Sequence, residues 1–179
     1  MTDEAIAPTQ NGTGILSLTG TNAYSGVTRI EQGTLSIGAG GTTGSIANIS
    51  NVVNNGTLMF NRSDDVSLNA PISGVGNLTQ AGTGNLTLRG NNIYTGNTTI
   101  SNGTMVVGDG AGNGSITSSA NIINNANLSF NRSDAVNLSK AISGSGNVSQ
   151  NGTGVLTLTA ANTYNGTTAV NNGSLVIGD

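Results

Sequence analysis

The chain of 179 residues contains no cysteine and no histidine. Without a thiol or an imidazole there can be no disulfide framework, no Ser-His-Asp or Cys-His nucleophile and none of the usual zinc sites. Charged residues make up 7% of the chain and aromatic residues 3%, which leaves neither a salt-laced helical surface nor an aromatic-rich core. The five basic residues are scattered and the net charge is −3, so no electrostatic footprint exists for a phosphate backbone and nucleic acid is excluded as a partner. No run approaches the roughly 18 apolar residues of a membrane-spanning helix. The opening stretch from Met1 to Gln10 carries Asp3 and Glu4 and lacks an apolar segment, so it does not read as a signal peptide, and the chain reads as part of something longer.

Glycine, asparagine, threonine and serine fill the space. Polarity without charge resembles disorder, but 35% of residues are hydrophobic and they are regularly placed. The regularity is an internal repeat. Gly-Thr-Gly starts at Gly12, Gly82 and Gly152, at one constant spacing. Tyr24, Tyr94 and Tyr164 keep that register, as do Asn61-Arg62-Ser63-Asp64 with Asn131-Arg132-Ser133-Asp134, and Ile72-Ser73-Gly74 with Ile142-Ser143-Gly144. The chain therefore divides into repeats 12–81 and 82–151 and a partial repeat 152–179, within a single segment 1–179. A period that tolerates no insertion is the mark of a stack, in which each copy sits in register on its neighbour.

Within a copy, short apolar groups alternate with Gly and Asn: Leu86-Thr87-Leu88, Thr98-Thr99-Ile100, Met105-Val106-Val107 and Leu128-Ser129-Phe130 are examples. Their period of two is that of half-buried strands, and helical spacing is nowhere sustained. Nine such strands per copy, three to a coil, predict three coils of about 23 residues per copy and roughly eight coils in all. At about 4.8 Å per coil the result is a rod about 35 to 40 Å long. Asn-Gly pairs at Asn11, Asn55, Asn102, Asn113, Asn151, Asn165 and Asn172 supply corners. The same dipeptide is a hairpin signal, so an antiparallel meander is the rival architecture. A closed coil prevails because it buries its inward side chains against the coils above and below, whereas a meander of short half-polar strands has one buried face.

The stretch from Leu86 to Gly108, LTLRGNNIYTGNTTISNGTMVVG, and its partners from Leu16 to Gly38 and from Leu156 to Gly178 resemble the passenger-associated transport repeat of bacterial autotransporter passengers. Ala160 and Val27 depart from that pattern without altering its spacing. The resemblance implies an all-β, right-handed parallel β-helix, exported across the outer membrane and displayed outside the bacterial cell. It also implies a repeat that assists secretion and stacking, a parent anchored by an outer-membrane barrel that is not part of this chain, and no catalytic activity.

Candidate chemistry is sparse. Arg62, Asp64 and Asp65 resemble the clustered acids and base of β-helix polysaccharide-cleaving enzymes, but Asp65 corresponds to Ala135, and a polar turn with a local ion pair is the simpler expectation. Tyr24, Tyr94 and Tyr164, about three coils or roughly 14 Å apart along one edge, are the candidate ligand contacts, as sugar-stacking aromatics; the competing expectation is that each ring covers a corner of its coil. Thr98-Thr99 and Thr167-Thr168 suggest outward threonine arrays, which are too irregular for an ice-binding face. Asn-x-Ser/Thr triplets at Asn61, Asn77, Asn131 and Asn147 read as turn and ladder residues, and interior asparagines are expected to stack from coil to coil.

The sequence thus reads as a structural stalk of a surface-displayed passenger and not as an enzyme. A carbohydrate-active or carbohydrate-binding β-helix is the alternative. Expected partners are host-cell or matrix proteins or glycans, with end-to-end self-association through exposed coil edges. No cofactor is expected: Gly38-Ala39-Gly40-Gly41 lacks the acids of calcium-binding solenoids, and Asp109 stands alone in the second copy. The melting temperature should therefore be the same with and without a calcium chelator, and a large drop on chelation would contradict this reading.

Overall fold

The computed structural model describes residues 7–46 and 49–178. These residues form strands and turns with no helix, and the 20 strands, numbered β1 to β20 along the chain, are two to four residues long. Every strand pairing is parallel. The chain is a β-solenoid of about eight turns, and the antiparallel meander is excluded.

Three faces run along the solenoid. One is a seven-stranded sheet of β2 (Ile15–Leu18), β4 (Thr34–Ile37), β6 (Thr57–Phe60), β9 (Asn77–Gln80), β11 (Thr98–Ile100), β13 (Ile122–Asn124) and β16 (Ile142–Ser143). The second is a six-stranded sheet of β7 (Val66–Leu68), β10 (Asn85–Leu88), β12 (Thr104–Val107), β14 (Asn127–Phe130), β17 (Asn147–Gln150) and β19 (Thr168–Val170). The third begins as β1 (Thr9–Gln10), β3 (Val27–Ile30), β5 (Asn51–Asn54) and β8 (Ile72–Ser73) and ends as β15 (Val136–Leu138), β18 (Val155–Leu158) and β20 (Ser174–Ile177). Between its two sheets the third face continues as irregular backbone: Ile93 N donates to Ile72 O at 2.8 Å, and Asn92 Nδ2 donates to Ser115 O at 3.0 Å.

The alternation in the sequence explains which side is buried. In β6, Leu58 and Phe60 point inward while Thr57 and Met59 face out, and β10 repeats the pattern with Leu86 and Leu88. Register then places like on like: Leu58 pairs with Leu78, Met105 with Leu128, and Leu128 with Val148. Each fully buried aliphatic side chain contributes about 1.5–3 kcal/mol, and its strand partners lie in the turns above and below. Helix formation is disfavoured throughout, because no stretch offers an apolar stripe at helical spacing.

The length of a turn differs from the expectation of about 23 residues. Paired residues are 19, 20, 23 or 24 apart, about 21 on average, and the longer steps are those that include the glycine loops 38–44 and 108–114. One copy of the repeat therefore covers about three and one-third turns, not three. The structure shows the consequence directly: β2, β10 and β18, which are equivalent segments of successive copies, lie on three different faces. Each copy is rotated by one face relative to the one before it.

Burial sets the mutational expectations. Phe130, 1% exposed and stacked between turns, should cost about 3–5 kcal/mol on substitution by Ala, read from the chemical denaturation curve. Val75, 69% exposed, should cost less than about 0.5 kcal/mol on the same change, and equal losses at the two sites would contradict the core assignment.

Candidate functional site

The one charged motif that recurs lies in a column of turns at a corner of the solenoid. The glycine loop of the preceding turn rests on it: Gly40 N donates to Asn61 O at 2.7 Å, and Ser63 N donates to Gly41 O at 3.0 Å. Arg62 clasps the loop from beneath. Its guanidinium donates to the carbonyls of Gly44 and Thr42 and to both oxygens of Asp64, with Nε to Oδ1 at 2.8 Å and Nη2 to Oδ2 at 2.6 Å. Arg132 repeats the arrangement with Gly114, Gly112 and Asp134. A rigid donor fork fits this role, because one planar group satisfies a carboxylate and two loop carbonyls together.

The clasp also decides the chemistry of Asp64. The hydrogen bonds from Arg62 hold its carboxyl below the usual carboxylate range, and those from Arg132 do the same for Asp134. A glycoside-cleaving pair needs one carboxyl that keeps its proton near neutrality, the opposite shift. Asp65, the third candidate, accepts from the backbone N of Asn85 at 3.1 Å and is replaced by Ala135 in the second copy. The three residues thus form a turn clasp in which every carboxylate already has a partner.

The following turn explains the Gly-Thr-Gly signature. Gly84 N donates to Arg62 O at 3.1 Å. A Cβ on Gly82 would lie 2.0 Å from Arg62 O, and one on Gly84 would lie 2.0 Å from Asp64 O, so only glycine admits this approach. Inside the same turn sits Gln80, buried, whose Nε2 donates to Gly82 O and Gly84 O at 2.9 Å each. Gln10 and Gln150 do likewise in their copies. Sequence reasoning passed over these glutamines, although their recurrence at the same place in every copy, two positions before each Gly-Thr-Gly, was the available signal.

The tyrosines are not a surface platform. Tyr94 is 1% exposed, Tyr24 is buried and Tyr164 is half-buried. They precede β3, β11 and β19, one on each face, and so do not line one edge as three turns per copy would have required. The hydroxyl of Tyr94 lies 2.5 Å from Thr98 Oγ1, which lies 2.6 Å from Ser119 Oγ, a buried chain linking two turns. Tyr164 pairs with Thr168 at 2.6 Å. In the first copy Ile49 occupies the place of Ser119, and the buried hydroxyls of Tyr24 and Thr28 have no hydrogen-bond partner among the described residues, so the chain does not form there. Thr98 points inward and is buried, which removes it from any outward threonine array.

Asparagine ladders do form, but mainly on the outside. Asn77 Oδ1 accepts from Asn97 N at 2.9 Å, Asn121 Nδ2 donates to Asn97 Oδ1 at 3.0 Å, and Asn147 Nδ2 donates to Asn127 Oδ1 at 3.1 Å. The interior pair Asn54 and Asn124 instead donate to the backbone carbonyls of Asn77 and Asn147 at 2.8 Å. A recess of about 270 Å³ lies beside the second clasp, with Ile116, Phe130 and Val136 among its apolar lining and Thr117, Arg132 and Asn137 among its polar lining. Among the described residues no group of three acidic side chains is placed to hold a metal ion.

Comparison with known proteins agrees with this geometry. A family model described as the passenger-associated-transport-repeat matches residues 9–37, 78–107 and 148–177, the three stretches that contain the tyrosines and the strands after them. The adhesin BmaC autotransporter of Brucella suis biovar 1 (strain 1330) is 48% identical over 67 residues, which is 37% of this chain and 2% of that protein. The chain thus spans a small fraction of the length of the relative it matches. No solved structure matches it.

The clasp gives a pH signature. Because the folded carboxyls of Asp64 and Asp134 are held below their unfolded range, their contribution to stability is present above about pH 4 and disappears as pH falls through the folded values. The double variant Asp64→Asn with Asp134→Asn should melt at a lower temperature than the parent at pH 7, and the gap should close in acid. A gap that does not change with pH would show that the carboxylate charge has no part in holding the loops.

Proposed function

Since this chain belongs to the autotransporter passengers that carry passenger-associated transport repeats, we propose that it is a stalk section that supports secretion of its parent and holds adhesive parts away from the bacterial surface. The observation that carries this reading is that the polar groups with chemical potential, Arg62, Asp64 and Gln80 with their copies, and Tyr94, are engaged in closing their own turn or in holding the turn beside it. The matched relative is named an adhesin, and adhesion comes to this chain only as the purpose its stack would serve.

A carbohydrate-binding role is the second reading, and a specific observation favours it. Among the described residues, Arg29 is the one charged residue in any of the 20 strands. Apart from Arg29, the outward strand positions are therefore uncharged, mostly hydroxyl and amide residues with Val53, Met59, Val106 and Ile123 among them, a surface suited to neutral glycans and poorly suited to charged partners. Partners along the flank would be host-cell or matrix glycans or proteins.

Self-association belongs to the same reading. Unpaired strand edges favour further pairing, so end-to-end association of coil edges is part of the proposal.

The test is removal of residues 82–151 from a passenger that carries this segment. The stalk reading predicts that the shortened passenger still reaches the cell surface and still binds host cells or matrix through its other parts. Normal export with complete loss of binding would assign adhesion to this segment and overturn the stalk reading.

A further inference from the structure

The third face is interrupted where its irregular backbone gives way to β15. That strand stands at the end of its sheet and pairs with β18 on one side. Among the described residues, no backbone hydrogen bond joins residues 115–117 of the turn before to β15. In a parallel strand the N–H and C=O of one residue turn toward one neighbour and those of the next residue toward the other. Thr159 N donates to Leu138 O at 3.1 Å, so the main chain of Leu138 faces β18 and that of Asn137, an exposed residue, faces 115–117. The facing segment is occupied with itself: Thr117 N donates to Ser115 Oγ at 3.2 Å, and Ser119 N donates to Ile116 O at 3.2 Å. One donor and one acceptor of Asn137 are thus left open inside the stack.

The recess of about 270 Å³ is the space between these two segments. Ile116 and Phe130, each 1% exposed, and Val136 give it an apolar floor. Arg132 at its side is paired with Asp134 at 2.7 Å, so the charge there is balanced. Ala135 lies exposed at the mouth, where the first copy has Asp65. An apolar floor with a few convergent polar groups, in a volume slightly below the range of about 300–1,000 Å³ for drug-sized ligands, describes a site for one small neutral ring.

We propose that this recess binds a single neutral hexose through two neighbouring hydroxyls. The assignment rests on the carbohydrate-binding reading and gives it a place. A hydroxyl both donates and accepts, so a vicinal pair meets the N–H and the C=O of one residue without any change of protonation. The C–H face of the ring supplies the apolar surface that the floor requires. An anionic sugar would meet the Asp134 carboxylate with no unpaired positive charge to offset it. An extended peptide also offers C=O and N–H groups, but a strand has to run on past the corner, and there the Arg132 clasp already joins the two turns.

The test is titration of the isotopically labelled 179-residue chain with methyl glucoside, methyl galactoside and methyl mannoside, each alone, followed by NMR of the backbone amides. At least one should shift the signals of Ile116, Thr117 and Asn137 saturably at roughly millimolar concentration. Cyclohexanol, which has one hydroxyl, and glucuronate should bind roughly tenfold more weakly. Asn137→Pro, which removes an N–H that β15 does not use in pairing, should abolish the shifts, and so should Ala135→Tyr, which closes the mouth from an exposed position. Should the proline variant lose its fold, the tyrosine variant decides. Undiminished shifts in Ala135→Tyr, equal binding of cyclohexanol, or tighter binding of N-acetyl-dialanine amide than of every hexoside would overturn the site. Shifts confined to outward strand residues such as Thr79 and Thr99 would overturn it while sparing the carbohydrate reading, whereas no shift anywhere would remove both.

Discussion

The structure depends on direct contact between the backbones of successive turns at the corners. At a corner such as Gly82–Gly84 over Arg62–Asp64, the carbonyl of the lower turn occupies the space a Cβ would need, and the backbone hydrogen bonds run from turn to turn. The spacing of the stack is therefore set by peptide groups and not by side-chain size. Inward side chains such as Leu58, Leu78 and Leu128 then fill a cross-section already fixed in height. Because each turn meets only its neighbours, stability grows by adding turns, which is how a chain with so few aromatic and charged residues can still be ordered.

Polar side chains serve the same end. A small, weakly charged sequence has many buried amides and carbonyls to satisfy. Most are met by residues that reach within their own turn or along the axis, while the Tyr24 and Thr28 hydroxyls are two of the few left unpaired among the described residues. Gln80 closes its own turn from within, Arg62 holds the loop of the turn before, and Asn77 receives Asn97 from the turn after. An unpaired buried polar group would cost about 1–3 kcal/mol, so these bonds matter more for what they prevent than for what each adds. The same economy accounts for the absence of free chemistry at the clasp: an arginine and an aspartate engaged with each other and with the loop are not available to a substrate.

Much of this was legible in the sequence. Alternation in Leu86-Thr87-Leu88 and the unbroken repeat led to parallel stacked strands, and the three tyrosine-containing stretches led to the passenger repeat. What was not legible was the length of a turn. Counting strands cannot separate the expected turn from the slightly shorter one observed, because the glycine loops 38–44 and 108–114 lengthen some turns and not others. That small difference moved Tyr24, Tyr94 and Tyr164 onto separate faces and turned a supposed edge array into three isolated, inward-facing rings. The buried glutamines were missed for another reason. Composition presents glutamine as a surface residue, and only the fold reveals a turn whose carbonyls converge on one interior amide donor.

Rotation of each copy by one face has a consequence for any longer array: equivalent surface groups spiral round the rod and return to the same face only after three copies. The claim beneath it, that neighbouring turns are parallel and that Thr79 of β9 lies directly against Thr99 of β11, can be measured by cysteine cross-linking in a chain that has no cysteine of its own. Thr79→Cys with Thr99→Cys should oxidise readily to an intramolecular disulfide, while Thr79→Cys with Asn102→Cys, the pair that the longer expected turn would bring together, should stay reduced. The reverse outcome would contradict the stack described here.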